Sequence, residues 1–367
     1  MNSLGFNKKE SETRVVVAMS GGVDSSVVAC QLKEQGYDVI GITLQLYDIG
    51  DALKKKNACC AGVDIYDAKK VAAKFNFPHY VLNYQNLFKE SVIDDFADSY
   101  LQGETPIPCV KCNQSVKFKD LLQVAKDLDA DCMATGHYVQ RKLSETNIPQ
   151  LHKAIDEDKD QSYFLFATTF KQLDFLRFPL GNNNKEFTRQ EAQRFGLEIA
   201  NKPDSQDICF VPNGDYASVI KKYRPQAFKK GDFLHIKTQK KLGEHEGIIH
   251  FTLGQRKGLG ISYQVPLYVV KIDSQKNIVY VGEEQYLQSQ KFKIRNINWL
   301  APDIDINTKI IANVKLRSTQ QEQPAIIEIA NNETAIVDMK SMTRAITPGQ
   351  ACVIYQENRI LGGGWIL

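Results

Sequence analysis

A run of small polar residues near the start of the chain has the composition of an anion-binding turn. Residues 20–26 read S-G-G-V-D-S-S; they follow the apolar run 15–19 and precede a helix-like segment that extends to about Gln35. A tight turn between a buried strand and a helix brings free backbone N–H groups and the positive end of the helix dipole to one point. The pattern therefore predicts a phosphate site at residues 20–26.

Each residue type in this loop has an expected task. Gly21 and Gly22 are expected to take positive φ and let the backbone approach a phosphate. Asp24 could cap the following helix or help to hold Mg²⁺. Further hydroxyl donors are Ser20, Ser25 and Ser26. The loop lacks the G-x-x-x-x-G-K-[ST] spacing of a Walker A loop. It resembles instead the PP-loop, the pyrophosphate-binding turn of enzymes that use ATP to adenylate a carbonyl or carboxylate oxygen.

Cysteines supply a second kind of chemistry. Cys109 and Cys112 form a C-x-x-C pair, which suits a redox pair, half of a zinc site or two ligands of an iron–sulfur cluster. No second C-x-x-C occurs, which argues against a Cys₄ zinc site. Cys209 stands alone in a polar loop, where a cysteine more often packs than reacts. Beside an ATP pocket, however, the three thiols together indicate sulfur transfer.

The local sequence around the C-x-x-C pair predicts its backbone. Pro106 and Pro108 favour an extended loop, and a helix is expected to begin near Ser115. The two cysteines would then lie in a loop at a helix N-terminus. That position, with Lys111 between the cysteines, is expected to lower the pKa of the thiols.

Strand-like and helix-like segments alternate over the first half of the chain and would position these residues. Buried strands are predicted at 15–19, 38–44, 79–82 and 131–135, and amphipathic helices at 64–75 and 88–101. This alternation predicts an α/β fold with a doubly wound parallel sheet, in which ligands bind beyond the carboxyl ends of strands. Residues 20–26 follow one such end. Gly136 follows another and could let the backbone approach a nucleotide.

Composition and charge limit the class of protein. The chain has 367 residues, enough for two or three domains, and no apolar run approaches the roughly 20 residues of a membrane span. Residues 1–13 are polar and resemble neither a signal nor a transit peptide, so we expect a cytoplasmic protein with reduced cysteines. Residues 1–215 carry a net charge of −5 and residues 216–367 a net charge of +8. The basic second part suits a polyanionic partner, although a solvated basic surface explains the charge equally well.

Short motifs spread over nearly the whole chain resemble the bacterial-type tRNA-specific 2-thiouridylase family. They lie at residues 20–26, 59–60, 105–113, 117–118, 135–138, 159–165, 178–181, 205–210, 254–260, 348–350 and 362–364. The resemblance implies 2-thiolation of the wobble uridine of tRNAs for Lys, Glu and Gln. ATP would adenylate O2 of the flipped-out uridine, and sulfur would replace that oxygen.

The resemblance also implies site residues. The expected ATP-binding residues are Ala18, Met19, Ser20, Gly21, Gly22, Val23, Asp24, Ser25, Ser26, Leu44 and Gly136. The expected tRNA contacts are Ile107, Pro108, Cys109, His137, Lys159, Asp160, Gln161, Arg317, Ser318 and Gln350. Many members of the family have an aromatic residue where this chain has Ser318.

Two roles for the cysteines stay open. In the family's persulfide scheme, Cys209 carries the incoming sulfur, and Cys112 attacks the persulfide and releases sulfur to the activated carbon, which leaves a Cys112–Cys209 disulfide. Some members have an aspartate where this chain has Cys109. This departure opens a second scheme, in which Cys109, Cys112 and Cys209 hold a [4Fe–4S] cluster with one iron free to bind sulfide.

The second part of the chain changes character near residue 216. Short strands are predicted at 232–237, 247–251, 267–272, 278–281, 293–299, 308–316, 325–329, 334–337 and 351–355. They predict a small central β-rich domain and a C-terminal β-barrel. The expected domains are a PP-loop catalytic domain at 1–215, a tRNA-binding domain at 216–284 and the barrel at 285–367.

The expected partners are the anticodon arm of a tRNA and an upstream sulfur donor, a cysteine desulfurase or a sulfur-relay protein. The chain is expected to be a monomer that binds no membrane.

Two alternatives come from other classes of protein. A PP-loop ligase or amidotransferase would use residues 20–26 but would not need the three cysteines. An RNA-binding protein without catalytic activity would need neither the loop nor the cysteines.

Overall fold

The computed structural model describes residues 1–46, 62–204, 207–211, 214–302, 304, 309–331 and 333–367. Cys59, Cys60, Ser205 and Gln206, which belong to the motifs above, lie outside the described residues, as does Thr308 at the start of a predicted strand. The chain forms two compact units. The first comprises residues 1–91, 109–214 and 358–360, and the second comprises residues 92–108, 215–357 and 361–367.

A five-stranded parallel sheet forms the centre of the first unit. The strands of this unit are β1 (Arg14–Ala18), β2 (Asp38–Gln45), β3 (His79–Asn83), β4 (Cys132–Thr135), β5 (Val139–Leu143), β6 (Pro149–Lys153) and β7 (Leu176–Arg177). The sheet order is β3-β2-β1-β4-β7, and β5 and β6 form an antiparallel hairpin. The side chains at 15–17 are fully buried, as continuous apolar strands covered on both faces require. The predicted doubly wound α/β fold is confirmed.

Helices follow the strands. The α-helices are α1 (Val23–Glu34), α2 (Val63–Lys74), α3 (Gln85–Phe88), α4 (Asp94–Leu101), α5 (Pro108–Lys111), α6 (Leu121–Asp127), α7 (Ser162–Leu165), α8 (Phe170–Phe175), α9 (Lys185–Arg194) and α10 (Tyr216–Tyr223). Two π-helical segments, Lys89–Ile93 and Cys112–Asp120, join α3 to α4 and α5 to α6. π-Helical turns are rare and often occur at functional sites.

The prediction of an extended loop around the C-x-x-C pair is wrong. Helical backbone begins at Pro108 and continues through Cys112 to Asp127. Proline is tolerated at the first helical position, because its missing N–H would have no partner there and its φ already suits a helix. Cys109 and Cys112 therefore lie about one turn apart on a helix.

Two β-structures make up most of the second unit. Its strands are β8 (Gly231–His235), β9 (Lys241–His245), β10 (Tyr268–Asp273), β11 (Ile278–Gly282), β12 (Gln288–Trp299), β13 (Ile310–Lys315), β14 (Gln323–Ile329), β15 (Thr334–Arg344), β16 (Ala351–Gln356) and β17 (Arg359–Ile366). A mixed sheet has the order β10-β11-β8-β9, and a barrel has the order β12-β15-β14-β13-β16-β17. Pairing of β12 with β17 closes the barrel, as predicted.

Three strand assignments in the second unit differ from the prediction. Residues 248–250 form a 3₁₀ turn instead of a strand, and the edge strand β9 was not expected because charged residues and a glycine interrupt its apolar pattern. The glycine-rich strand β17 was also not expected. A Cβ at Gly362 would overlap the backbone oxygen of Asn298, so close strand pairing requires this glycine.

Within the described part of the chain, no helix combines the length and the apolar character needed to cross a membrane.

Candidate functional site

The loop at residues 20–26 joins β1 to α1, and its first glycine has the geometry that only glycine adopts easily. Gly21 has a φ of +75°, and a Cβ there would lie 2.6 Å from the backbone carbon of Asp64 and overlap the Asp64 oxygen. Gly22 has a φ of −88° and an extended backbone at the N-cap of α1. The expectation of positive φ is therefore confirmed for Gly21 and wrong for Gly22.

The serines of the loop hydrogen-bond to one another. The Ser20 amide donates to Ser25 Oγ at 3.1 Å, and the two hydroxyl oxygens lie 3.2 Å apart. The Gly22 amide donates to Ser20 Oγ at 3.4 Å, a long bond that a phosphate oxygen could replace. Ser26 is fully buried, and its Oγ has no hydrogen-bond partner among the described residues. The Ser20 and Ser25 hydroxyls thus take part in hydrogen bonds within the loop, whereas the buried Ser26 hydroxyl does not.

Asp24 forms ion pairs instead of a helix cap. Both of its oxygens accept from Lys185 Nζ, at 2.7 and 2.9 Å, and the Tyr138 hydroxyl donates to it at 3.0 Å. The N-cap of α1 is Gly22, which offers no side chain, so the expected capping role of Asp24 is wrong. Magnesium usually binds one or two carboxylates together with substrate phosphates, so a single carboxylate beside a phosphate site fits that ion.

The other expected ATP-binding residues surround the loop. They lie at the carboxyl ends of β1, β2 and β4 and are Ala18, Met19, Leu44 and Gly136. The Met19 amide donates to the Ile42 carbonyl at 2.8 Å. A Cβ at Gly136 would lie 2.7 Å from the Ser25 amide nitrogen, so glycine lets β4 approach the first turn of α1. Close packing alone therefore accounts for a glycine at position 136. A contact between Gly136 and a nucleotide stays a prediction.

The two cysteines of the C-x-x-C pair differ in exposure. Cys109 is exposed, whereas Cys112 is buried with 7% of its surface accessible. Burial raises the pKa of the Cys112 thiol, the Lys117 ammonium lowers it, and neighbouring Cys109 raises it further. Desolvation by the surrounding protein also raises the pKa of Cys109, although solvent reaches this residue, and Lys117 again opposes the shift. The expectation of lowered thiol pKa values is therefore wrong, because desolvation outweighs the nearby charge.

The turn that carries Cys209 and the helix that carries Cys112 both pack against α3. Cys209 is half-buried, and the ring of Phe210 meets that of Phe88 edge-on with centroids 5.8 Å apart. Phe88 is fully buried and belongs to α3, which packs against the π-helical segment Cys112–Asp120. The two cysteines of the persulfide scheme thus lie on elements that share one neighbour.

The cysteines do not form a ready metal site. Across the described residues, which include Cys109, Cys112 and Cys209, no three His, Cys, Asp or Glu side chains group closely enough to hold a metal ion. The side-chain arrangement therefore does not fit a [4Fe–4S] cluster, and we derive no step through one.

His137 is a neutral histidine beside the same helix. Its Nδ1 lies 2.9 Å from Thr135 Oγ1, and its ring meets Phe118 edge-on at 5.8 Å. Burial, aided by the Lys117 charge, lowers the pKa of His137 to about 3. His137 can therefore donate or accept a hydrogen bond at neutral pH but cannot supply a positive charge to a phosphate.

This shift predicts a pH-dependent stability. The unfolded chain protonates His137 near its usual pKa of 6.5, while the folded chain does not until about pH 3, so stability is lost as pH falls through that interval. Urea unfolding at pH 7.5 and 5.0 should show that His137→Gln removes on the order of 1–2 kcal/mol of this loss. Parallel pH profiles of the two proteins would contradict the neutral assignment.

Two of the expected tRNA contacts organise the backbone of the first unit. Asp160 Oδ2 accepts from the Ser162 hydroxyl at 2.6 Å, and its Oδ1 accepts from the Ser162 amide at 3.3 Å. Gln161 exchanges two hydrogen bonds with Tyr138, through its side-chain oxygen and its backbone amide, both at 3.0 Å. These hydrogen bonds give Asp160 and Gln161 a structural role. Contact of either residue with tRNA stays a prediction.

Other expected tRNA contacts lie in the second unit. Ile107 and Pro108 are buried, and Ser318 is exposed. Arg317 is also exposed, and its guanidinium donates to the Ala345 carbonyl at 3.1 Å. The Gln350 amide donates to the Thr105 carbonyl at 2.9 Å. Arg317 and Ser318 are thus accessible to a partner, whereas Gln350 holds a loop.

Known protein families match almost the whole length of the chain. Three family models match in succession: the tRNA methyl transferase HUP domain over residues 13–213, the tRNA methyl transferase PRC-barrel domain over residues 217–283, and the Aminomethyltransferase beta-barrel domain over residues 289–366. The tRNA-specific 2-thiouridylase MnmA of Ruegeria sp. (strain TM1040) is 59% identical over 100% of this chain and 97% of its own. That of Rickettsia conorii (strain ATCC VR-613 / Malish 7) is 59% identical over 98% and 97%.

The chain belongs to the tRNA-specific 2-thiouridylase family. The family predicted from the motifs is thereby confirmed. Among solved structures, a 4-thiouridine synthetase–RNA complex with bound ATP shares 12% identity over 58% of this chain and 51% of its own, with a TM-score of 0.34. That likeness is too low to support a conclusion about this chain.

The loop also has polar neighbours that the sequence motifs did not reveal. Lys185, the first residue of α9, has only 10% of its side chain exposed and pairs with Asp24 and with Asp204, the latter at 2.6 Å. Lys159 Nζ reaches the other oxygen of Asp204 at 2.9 Å. Lys159, expected to contact tRNA, is thus engaged by a carboxylate of its own unit.

Lys202 forms a second link to the loop. Its ammonium donates to the Gly21 carbonyl at 3.1 Å and pairs with Asp67 at 2.7 Å. In sequence, Lys202 and Asp204 belong to a polar run that reads like any solvated loop, and Lys185 lies 161 residues from Asp24. No local signal therefore distinguishes these residues, and only the fold brings them together.

Proposed function

We propose that the chain is a tRNA 2-thiouridylase, a sulfurtransferase that uses ATP to activate O2 of a tRNA uridine and replaces that oxygen by sulfur. The observation that carries the proposal is the 59% identity with 2-thiouridylases over the full chain, together with the glycine loop and the cysteines at the positions that the family motifs require. The finer proposal is that the uridine lies at the wobble position of tRNAs for Lys, Glu and Gln.

The loop at residues 20–26 would bind the pyrophosphate portion of ATP. Its backbone amides and the Ser20 and Ser25 hydroxyls offer donors, and the N-terminus of α1 adds a positive dipole. Mg²⁺, held by Asp24 and phosphate oxygens, would neutralise charge on the leaving group. Uridine O2 attacks the α-phosphorus, the bond to the β-phosphate oxygen breaks, and pyrophosphate leaves.

The cysteines would then deliver sulfur. A donor protein, a cysteine desulfurase or a sulfur-relay protein, charges half-buried Cys209 as a persulfide. The Cys112 thiolate attacks the Cys209 sulfur and forms a disulfide, and the released hydrosulfide attacks C2 while AMP leaves with O2. An external thiol then reduces the disulfide. Lys117 lowers the pKa of Cys112 against the effect of burial and so favours the thiolate.

One assay tests the proposed function. The protein is incubated with ATP, unmodified tRNA and a sulfur source, and 2-thiouridine is detected by retarded migration in a mercury-containing gel. Thiolation should require ATP and should vanish with a tRNA that carries cytidine at the wobble position. Absence of thiolated tRNA, with aerobically or anaerobically purified protein, would refute the proposal. Iron analysis of the active anaerobic protein decides whether a cluster is bound.

The central β-rich region offers a phosphate contact. Arg256 and Lys257 are exposed in the loop 254–260. Exposed cations in such a loop suit contacts with an RNA backbone. We therefore propose that this loop binds tRNA.

Charge removal at this loop should weaken tRNA binding. The double variant Arg256→Ala and Lys257→Ala should lower tRNA affinity about tenfold and reduce the slope of log affinity against log salt by about 1–2. Filter binding over a salt series measures both quantities. Lys241→Ala is the matched control, because Lys241 is exposed in the same unit but pairs with Asp232 and Glu244 at 2.8 Å. Equal effects of the two changes would contradict a specific contact at the loop.

Two further properties belong to this proposal. Action in the cytoplasm follows from the substrate, since mature tRNA is used there. Action as a monomer is tested by light scattering after gel filtration, with and without tRNA.

A further inference from the structure

The first unit contains a cavity that does not include the loop at residues 20–26. Its volume is about 550 Å³, which lies in the usual range of small-molecule sites. Its walls come from the C-terminal end of α1, the strands β5 and β7, residues 3–5 and the segment that leads into α9. All of the lining residues belong to the first unit, and none of the expected ATP-binding residues is among them.

Two arginines converge on one wall of this cavity. Arg141 of β5 donates from Nε to the Leu173 carbonyl and from Nη2 to Asp174 Oδ1, both at 3.0 Å. Arg177 of β7 donates from Nη1 to the Asp174 carbonyl at 2.7 Å. Burial lowers the pKa of Arg177, and the nearby charge of Arg141 lowers it further. Asp174 offers these two cations one carboxylate, so the wall carries an excess of positive charge.

The same wall has donors that the fold does not use. The hydrogen bonds of the two guanidinium groups leave Arg141 Nη1 and Arg177 Nη2 without an acceptor among the described residues. In the described part of the chain, no group accepts from the ammonium of Lys142 or from the side-chain amides of Asn182 and Asn183, which also line the cavity. Five donor groups therefore face one cavity.

The carboxylates that line the cavity are already paired. Glu34 of α1 accepts from both terminal nitrogens of Arg194 at 2.7 Å, and Glu191 of α9 accepts from Nε and Nη2 of the same guanidinium at 2.8 Å. With Asp174 and Arg194 included, four cations stand against three carboxylates. The unbalanced charge lies at β5 and β7, so an anion is attracted to that wall.

Apolar side chains complete the lining. They are Leu4, Phe178, Pro179 and Phe187, and 39% of the surface of Phe187 is exposed. A lining of this mixed kind suits a ligand with a charged group and an organic body. Two guanidinium groups and an ammonium supply more donors than the two oxygens of a carboxylate can use, whereas a phosphate has an oxygen for each of them.

We propose that this cavity binds a small organic phosphate, a monoester whose oxygens accept from Arg141, Arg177 and Lys142 and whose body packs on Phe178 and Phe187. The bound phosphate supplies the acceptors that the fold leaves out and offsets the repulsion between the two guanidinium groups. The site goes beyond the proposed function, because it uses neither the loop at residues 20–26 nor the cysteines.

Phenyl phosphate, which joins a phosphate to an apolar ring, is the probe, and phenol is its uncharged counterpart. Ligand-observed NMR titration measures both dissociation constants, with and without saturating α,β-methylene-ATP. Phenol should bind at least about tenfold more weakly than phenyl phosphate, and the nucleotide analogue should change the constant for phenyl phosphate less than about twofold. Absence of binding at about 10 mM phenyl phosphate, or its displacement by the analogue, would overturn the inference.

Two variants assign the binding to the cavity. The double variant Lys142→Gln and Asn183→Asp should weaken phenyl phosphate binding at least about tenfold, and Arg141→Lys, which keeps the charge but removes the fork, about threefold or more. Lys171→Gln with Asn86→Asp is the matched control, because it makes the same change of charge at exposed positions of the first unit outside the cavity. Equal weakening by the two double variants would contradict a site in the cavity.

The same proteins distinguish a free phosphate from the backbone of an RNA. Filter binding should give both double variants the same affinity for tRNA. Weaker tRNA binding by the cavity variant than by its control would assign these cations to an RNA backbone and overturn the inference. Loss of thiolation by a protein that still binds phenyl phosphate in the cavity would instead refute the proposed function alone.

Discussion

Replacement of Cys112 or Cys209 by alanine should lower the rate of 2-thiouridine formation at least about 10³-fold, because each change removes a group that forms a covalent bond to sulfur. Binding of α,β-methylene-ATP and of tRNA should remain within about twofold, since neither change touches the loop at residues 20–26. The mercury gel measures thiolation, and equilibrium dialysis measures nucleotide binding. Full activity of either variant would remove that cysteine from the mechanism.

A trapped intermediate separates the roles of the two cysteines. With Cys112→Ser and a sulfur donor, Cys209 should accumulate as a persulfide that mass spectrometry detects on its peptide, because the attacking thiol is missing. Cys209→Ser should show no persulfide on Cys112. The reverse pattern would exchange the two roles.

Cys109→Ser is the matched control for these variants. In the persulfide scheme its activity should stay within about threefold of the unaltered protein, since Cys109 forms no sulfur bond there. If the three cysteines hold a cluster, the same change should abolish both the iron content and the activity. The observed arrangement favours the first outcome, because the three thiols do not form a metal-binding group among the described residues.

The sequence predicted the parallel sheet because its strands carry their own signal. β1, β2 and β4 are nearly continuous apolar runs, as strands covered on both faces must be, and their bounds differ from the prediction by only one or two residues. The loop at residues 20–26 was equally visible, since its glycines and hydroxyls stand next to each other in the chain.

Features that depend on distant neighbours were not predictable. Pro108 was expected to prevent a helix, but it is the first residue of one. A proline in a sequence can either start a helix or interrupt it, and the residue type alone does not show which. The strand β17 contains glycines because β12 approaches it closely, and this approach exists only in the folded barrel. Lys185 finds its partners across long stretches of chain, so its burial and pairing have no local pattern.

Gly21→Ala should prevent ATP binding and destabilise the first unit. The new Cβ would overlap the backbone oxygen of Asp64, and a φ of +75° adds about 1–2 kcal/mol of strain for any residue other than glycine. Because the obstructing atom belongs to the backbone of α2, the loop itself must move. We expect a loss of about 3 kcal/mol or more in the free energy of unfolding and at least about tenfold weaker binding of α,β-methylene-ATP. Urea titration and equilibrium dialysis measure the two effects.

Two other glycines separate the causes of that loss. Gly214 has a φ of +70°, and no atom of the described residues lies within 4 Å of a Cβ there, so Gly214→Ala should cost only the strain, about 1–2 kcal/mol. Gly22 has an ordinary φ, and the nearest atom to a Cβ there is Ser20 Oγ at 3.4 Å, so Gly22→Ala should hardly change stability. If Gly21→Ala costs no more than Gly214→Ala, backbone conformation alone explains the glycine, and the Asp64 carbonyl does not fix the loop. If it costs more and also weakens ATP binding, the approach of α2 to the loop sets the shape of the phosphate site.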